Sequence, residues 1–387
     1  MGDLRFLRMK WQLKRQLERQ LKRQVKWQLI GWLMVGLVCI FTLYVTSNLT
    51  SNLTSNLTRD STSNLDSGTM AIPAPELALV PDLPPRKDLR LVVISDLNSQ
   101  YGSTEYEPEV SQAIALIPQW QPDLVLCGGD MIAGQKATLT QSQIESMWAA
   151  FDEQVAAPLR QEQIPFGFTI GNHDGSGAIQ DQTMIFQQER DLAQTYWQQH
   201  PSYLNFVDRA NFPFYYSFQQ NNVFFLVWDA STAHISPQQL AWIEQTLQTP
   251  AAQQASARVV LGHLPLYPVA QTKNQPGEYL AAGKKLRSLL AKNRVFMYIS
   301  GHHHVYYPGH INSLELLHAG ALGQGARQLI NSKLPPRQTI TVLDLDLPEM
   351  SLTYSTYDAT TWQQITLEEL PTSIPQKDGT IWRHDVD

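Results

Sequence analysis

Five short clusters in the sequence hold the residue types that bind divalent metals: Ser95-Asp96-Leu97-Asn98, Gly128-Gly129-Asp130, Gly171-Asn172-His173-Asp174, Gly262-His263 and Gly301-His302-His303-His304. Each follows an apolar, β-prone run. Carboxylates, imidazoles and an amide at strand ends are what a metal-assisted hydrolysis of a phosphate ester needs. That reaction requires a nucleophile at neutral pH and neutralisation of an anionic transition state. Two cations about 3.5–4 Å apart supply both, by lowering the pKa of a shared water and clamping the phosphoryl oxygens. Asp130 has two carboxylate oxygens and could serve both ions. Residues 301–304 fall near the end of a predicted strand, where residues alternate faces, so His302 and His304 point the same way and His303 takes the other face. The two imidazoles would then stand about 7 Å apart, which suits two neighbouring ions better than one. The competing readings are local: Asp130 as a turn residue and Asn172-His173 as an Asx turn. Five such clusters in one chain weigh against them.

The elements that must position these clusters alternate in type. Apolar runs predict strands at 89–95, 123–127, 165–170, 214–218, 223–228, 257–261 and 295–300. Helices are expected at 107–120, 139–160, 182–200, 237–247 and 278–292, with Ser236-Pro237 as N-cap and first helical residue of the fourth. After Gly301 the pattern turns to strands at 306–310, 314–318, 338–344 and 350–357, read as antiparallel. This order predicts an α/β (α+β) domain of two mixed β-sheets packed together with helices outside.

The ordered series Asp-x-(His), Gly-Gly-Asp, Gly-Asn-His-Asp, Gly-His and Gly-His-x-His resembles the calcineurin-like metallophosphoesterase superfamily over about residues 89–322. The resemblance implies a four-layer α-β-β-α sandwich and a metallophosphoesterase activity that uses two metal ions (Mn, Fe, Zn or Mg) and a bridging hydroxide. One ion would take Asp96, Asp130 and His304, and the other Asp130, Asn172, His263 and His302. His173 would stand beside the scissile phosphate with Asn172, protonating the leaving oxygen or stabilising its charge. Asp174 would orient His173 by a hydrogen bond. The chain departs from the pattern at Asn98, where the family has histidine. Asn98 could still bind the first metal, leave its place to water, or mark a partly empty site, and a harder amide ligand would shift preference toward manganese or magnesium.

Val227-Trp228-Asp229-Ala230-Ser231 and Gln239-Leu240-Ala241-Trp242-Ile243 resemble branches that include cyclic-nucleotide phosphodiesterases and purple acid phosphatases. The tyrosine diagnostic of the latter is replaced by Ala133. No basic cluster marks a phosphate-monoester pocket, so the substrate class stays open, with a slight lean to phosphodiesters or small organophosphates outside the cytoplasm. Cys127 and His303 read as residues facing away from the metals, and His234, His310 and His318 as surface or core histidines near the cleft. The competing reading is an anchored binding protein that kept the fold and lost turnover, with Asn98 as its support.

Charge divides the 387-residue chain. Residues 1–26 hold nine Lys/Arg against Asp3 and Glu18, while the remainder carries 20 basic and 33 acidic residues. So acidic a globular part is a poor candidate for duplex nucleic-acid binding, and none is expected. The basic stretch repeats Gln-Leu-Lys-Arg-like units, which on a helix make an apolar stripe flanked by cations: a membrane-surface helix, or a charged cytoplasmic lead-in. Leu29–Val45 is 17 residues without a charge, the short end of a membrane span, with Trp27 and Trp32 at its edge. A retained anchor over residues 27–46 is favoured over a cleaved signal peptide, because Val45-Thr46-Ser47 is a poor cleavage site. The positive-inside rule then places the N-terminus in the cytoplasm and residues 87–387 outside it. Residues 47–86 read as a tether, Ser-Asn-Leu-Thr repeats stiffening into a Pro-rich stretch. Cys39 and Cys127, one in the apolar run and one in the core, predict no disulfide.

Overall fold

The computed structural model describes residues 81 and 83–386. The basic segment, the expected membrane anchor and nearly all of the tether lie outside the described residues. Among the described residues no helix is long and apolar enough to cross a membrane.

In chain order the strands are β1 (Leu89–Ile94), β2 (Leu124–Cys127), β3 (Phe166–Phe168), a small hairpin of β4 (Ile179–Gln180) and β5 (Thr183–Met184), β6 (Asn205–Asn211), β7 (Tyr215–Gln220), β8 (Val223–Val227), β9 (Ala257–Leu261), β10 (Met297–Ser300), β11 (Tyr307–Ile311), β12 (Leu314–His318), β13 (Thr339–Asp346), β14 (Ser351–Asp358), β15 (Ser373–Gln376) and β16 (Gly379–Arg383). The helices between them are α1 (Pro108–Leu116), α2 (Gln141–Phe151), α3 (Ala157–Gln161), α4 (Asn172–Gly175), α5 (Gln187–Gln199), α6 (Pro237–Leu247), α7 (Pro250–Gln254) and α8 (Gly283–Lys292). One sheet runs β14-β13-β1-β2-β3 and the other β15-β16-β11-β12-β10-β9-β8-β7-β6. Both are mixed: β1, β2 and β3 are parallel, as are β8, β9, β10 and β12, and the outer strands are antiparallel. Strands buried on both faces explain the unbroken apolar runs, all six residues of β1 and all five of β8 and β9 being buried.

The departures from the sequence reading have local causes. The long helix expected at 139–160 starts at a Thr140–Gln143 capping box, but a π turn at Asp152–Ala156 separates α2 from α3. The helix expected from 278 starts only at Gly283, because the N–H groups of Leu280 and Ala281 are drawn to the Pro265 and Ala233 carbonyls. The one expected from 182 starts at Gln187, since the β4–β5 hairpin occupies the preceding residues. Strand β12 pairs antiparallel with β11 and parallel with β10, not antiparallel throughout. Strand β6, absent from the sequence reading, is a largely solvated edge whose polar residues hide its period.

The sheets meet through aromatic side chains. Tyr216 on β7 accepts the Phe168 N–H at 3.0 Å and donates to the Phe168 carbonyl at 2.6 Å, joining the edge of one sheet to the other. Trp197 of α5 stacks on Phe168 with centroids 3.7 Å apart. Pairs of this kind contribute about 1 kcal/mol each beyond their burial. The Gly301 N–H donates to the His263 carbonyl, and a Cβ on Gly301 would collide with the Ser95 hydroxyl and the Gly128 carbonyl. Only glycine lets the β10 end approach the β1 and β2 ends so closely. The carboxyl ends of parallel strands from both sheets therefore open onto one crevice, where ligands bind in open α/β sheets.

Candidate metal centre

Each cluster sits just beyond a strand of that parallel core: Asp96 after β1, Asp130 after β2, Asn172 after β3, His263 after β9, and His302 and His304 after β10. The backbone turns sharply at four of these residues, in three of the clusters. Asp96, Asp130, His302 and His304 have φ of 51°, 54°, 63° and 54°, in the left-handed region. Residues 301–304 are therefore not extended, and the shared-face argument for His302 and His304 fails. The turns nonetheless bring both side chains inward, by handedness and not by pleat.

Two groups of ligand atoms form, each within 4.8 Å: Asp130, His263 and His302, and Asp96, Asp130 and His304. Asp130 belongs to both. In the first group His263 Nε2 lies 3.2 Å from Asp130 Oδ2, 2.9 Å from Asn172 Oδ1 and 3.2 Å from His302 Nδ1. In the second, His304 Nε2 lies 3.1 Å from Asp96 Oδ1.

The outward-facing atoms decide what the inward ones can be. His263 Nδ1 lies 2.7 Å from the Gly128 carbonyl, His304 Nδ1 2.9 Å from the Gly325 carbonyl, and His302 Nε2 2.9 Å from a Glu278 carboxylate oxygen. Those nitrogens carry the protons in the tautomers this network assigns, leaving a lone pair on each inner nitrogen. The Asn172 amide donates to Gln135 Oε1 at 2.6 Å, so its oxygen also points inward. In those tautomers side-chain acceptors converge on side-chain acceptors about 3 Å apart. Such an arrangement requires positive charge at its centre, and a pair of cations fits it.

The charges agree. Burial would raise the Asp130 carboxyl, but His263 and His173 hold it well below the usual carboxylate range. Burial opposes charge on His263, yet Asp130 beside it, aided by Asp96 and the Gly128 carbonyl, pushes it up to about 9, so that in the absence of a cation a second proton on Nε2 supplies positive charge there. Burial and the neighbouring His263 and Lys273 hold His302 well below the ordinary histidine value.

His173 sits on the cleft side, its Nε2 3.9 Å from Asp130 Oδ2 and its backbone N–H donating to Asp130 Oδ1 at 2.8 Å. Its Nδ1 faces the Gly134 carbonyl at 3.0 Å. Asp174 does not orient it, contrary to the sequence reading. The Asp174 carboxylate accepts the N–H groups of Met131 (2.7 Å), Ile132 (3.0 Å) and Gly171 (2.8 Å). As the third residue of α4 it reaches back over the turn and ties that turn to the Asp130 loop. Burial, then Asp130, pushes it up to about 7. Asn98 is buried, its N–H donating to the Asp130 carbonyl and its own carbonyl accepting from Gln324.

His303 faces away, as expected: Nδ1 accepts the N–H groups of Val269 and Ala270, and Nε2 bonds the Glu278 carbonyl. His318 is buried, with Nδ1 at the Tyr307 carbonyl, and His310 bonds the Val386 carbonyl. His234 does line the cleft, a cavity of about 790 Å³ that also includes Tyr101, Asn172, His173, Lys273 and Arg327. Cys127 is a core residue. Sequence reading missed Lys273, Glu278 and Arg327. Lys273 Nζ lies 2.8 Å from Glu278 Oε2 and 3.3 Å from His302 Nε2. No motif marks them: the course of the 271–282 loop brings in Lys273 and Glu278, and the bond from the Arg327 N–H to the His304 carbonyl brings in Arg327. The Gln239 side chain clasps the Asp229 backbone, accepting its N–H at 2.6 Å and donating to its carbonyl at 3.1 Å, which holds the turn after β8.

Such a crevice between two mixed sheets, with a carboxylate shared by both ligand groups and a histidine at its edge, could hold two metal ions. Residues 89–306 match the model of the calcineurin-like phosphoesterase family, and the chain belongs to that family. It is accordingly a hydrolase of phosphate esters, in a family that depends on two metals. Among solved structures it is similar to a purple acid phosphatase from yellow lupin (Lupinus luteus), at 19% identity and TM-score 0.53, over 72% of this chain and 52% of that one. The chain thus spans about half the length of the lupin enzyme. A dimetal phosphatase from Danio rerio aligns at 14% identity and TM-score 0.46, over 72% of this chain and 99% of that one. The likeness to the lupin enzyme speaks to fold alone. No curated protein sequence matches.

Proposed function

We propose that this chain is a membrane-anchored phosphohydrolase in which Asp96, Asp130 and His304 hold one metal ion and Asp130, Asn172, His263 and His302 a second. The observation that carries this is the convergence of lone pairs, with every outer nitrogen of the three histidines tied to an acceptor. The ions would supply an ionised water and charge neutralisation at the phosphoryl group. The chain's own residues do the rest. Asn172 and His173 flank the phosphoryl position. The Gly134 carbonyl fixes the His173 ring, so that its Nε2 faces the cleft and can deliver a proton to the leaving oxygen. Asp174 keeps the α4 turn and the Asp130 loop in register. The premise for favouring diesters, the lack of a basic pocket, no longer holds, since Lys273 and Arg327 stand in the cleft wall. The anchor over residues 27–46 and the extracytoplasmic placement of residues 87–387 rest on the charge asymmetry and the apolar run.

The test is hydrolysis of paired aryl phosphate monoesters and diesters by the full-length protein with Mn, Zn, Fe or Mg, counting bound metal in the same samples. Turnover with two bound metals, lost in Asp130→Asn along with metal and in His173→Ala without loss of metal, is the expected result. One bound metal and no turnover with any ion would instead favour the binding-protein reading that Asn98 suggests. Protease accessibility in membrane vesicles tests the orientation.

A further inference from the structure

We propose that the cleft takes phosphate esters whose leaving alcohol carries a flat aromatic ring, and that Tyr101 is the platform on which that ring stacks. This deepens, and rests on, the reading of His173 as the group that meets the leaving oxygen. The Tyr101 ring lies beside the His173 imidazole, with centroids 5.0 Å apart and planes tilted by 37°. It is 56% exposed and lines the same cleft as His173.

The turn that carries it is tightly held. The Gly102 N–H donates to the Ala133 carbonyl at 2.7 Å, and Gly102 has φ +84°, which glycine adopts without strain. The Ser99 hydroxyl donates to the Glu105 carbonyl at 2.9 Å, and the Asn98 N–H to the Asp130 carbonyl at 3.2 Å. Tyr101 is therefore fixed to the same loop that presents Asp130, and its free face is presented in place.

The chemistry sets the direction. If His173 Nε2 delivers a proton to the leaving oxygen, the first atoms of the leaving group lie within hydrogen-bond reach of that nitrogen. The Tyr101 ring, beside that imidazole in the cleft lining, is then within reach of the atoms beyond them. An aromatic face there meets a planar leaving group by offset stacking, which a flexible alkyl chain cannot reproduce. The preference for a flat alcohol comes from this chain's Ser99–Gly102 turn.

The experiment compares 2-naphthyl phosphate with a primary-alkyl phosphate in wild type, Tyr101→Ala and Tyr101→Phe, using full-length, metal-loaded protein. Each substrate is compared with itself across variants, so intrinsic leaving-group reactivity cancels. Tyr101→Ala is expected to lower kcat/KM for the naphthyl ester about two- to tenfold more than for the alkyl ester. Tyr101→Phe, which keeps the ring, is expected to restore the wild-type ratio. Equal losses on both esters, or none on either, would overturn the proposal. Binding of a non-hydrolysable naphthyl phosphonate by calorimetry, against an alkyl phosphonate, reads the platform without turnover. A protein that hydrolyses nothing yet loses naphthyl affinity in Tyr101→Ala would sink the catalytic reading and leave the platform standing, whereas unchanged affinity would sink the platform.

Discussion

Replacing Glu278 with Gln should loosen one metal ion and leave the other in place. Glu278 Oε2 accepts from His302 Nε2 at 2.9 Å, and that bond puts the lone pair on Nδ1, facing His263 and Asp130. Outer carboxylate partners of this kind are worth about 10–100-fold in metal affinity. Gln keeps an acceptor oxygen but loses the charge, and the Glu278 side chain is 27% exposed, so solvent already screens part of the effect. Both considerations place Glu278→Gln near the tenfold end, about 1.4 kcal/mol. A second effect adds to it. Lys273, 2.8 Å from Glu278, would be left as an unpaired cation 3.3 Å from His302 Nε2. The double variant Glu278→Gln/Lys273→Met should therefore recover part of the lost affinity. His304 is held by the Gly325 carbonyl instead, so the ion shared with Asp96 should keep its affinity. The assay is competition for metal against a chromogenic chelator, resolved into two sites. Two ions bound with wild-type affinity in Glu278→Gln would show that this bond does not orient His302, and equal weakening of both would show that it acts on the whole site.

Two further changes test the frame around the site. Gly301→Ala should lower the Tm and the metal content together, since a methyl group there meets Ser95 and the Gly128 carbonyl, an overpacking that costs about 1–3 kcal/mol; a Tm equal to wild type would count against that close approach. Glu189 is pushed up to about 7 by burial, against the bonds it accepts from the Gln135 and Lys136 backbone. The folded state therefore holds that proton more tightly than the unfolded chain, and stability present below about pH 4.5 should fall as pH rises through 7, by at most about 3 kcal/mol. Glu189→Gln should flatten the fall in Tm between about pH 5 and 8, and an unchanged slope would assign the fall to another group.

What the sequence disclosed was the part written in short range. The clusters at Asp96, Asp130, Asn172, His263 and His302–His304 each follow a strand, and the strands were legible because buried parallel strands are apolar without interruption. The turn geometry was not legible, because four of those residues leave the extended region. Glu278, Lys273 and Arg327 were invisible for another reason: their loops approach the cleft through contacts made far away in sequence, such as His303 bonding Val269, Ala270 and Glu278. Asp174 was identified as important but given the wrong partner, since adjacency to His173 said nothing of the reach back to Gly171.

The left-handed backbone at Asp96, Asp130, His302 and His304 also bears on how such a site can be lost over evolutionary time. Aspartate, asparagine and histidine are the side chains that tolerate this conformation best after glycine. They are also ligand donors, so one residue type satisfies the metal and the chain at once. Drift to valine or isoleucine would break both, and selection on folding alone would remove it. Drift to asparagine or glycine would weaken the metal while sparing the turn. Inactive descendants of this chain should therefore carry Asn or Gly at these four positions far more often than β-branched residues, keeping the crevice after its chemistry has gone.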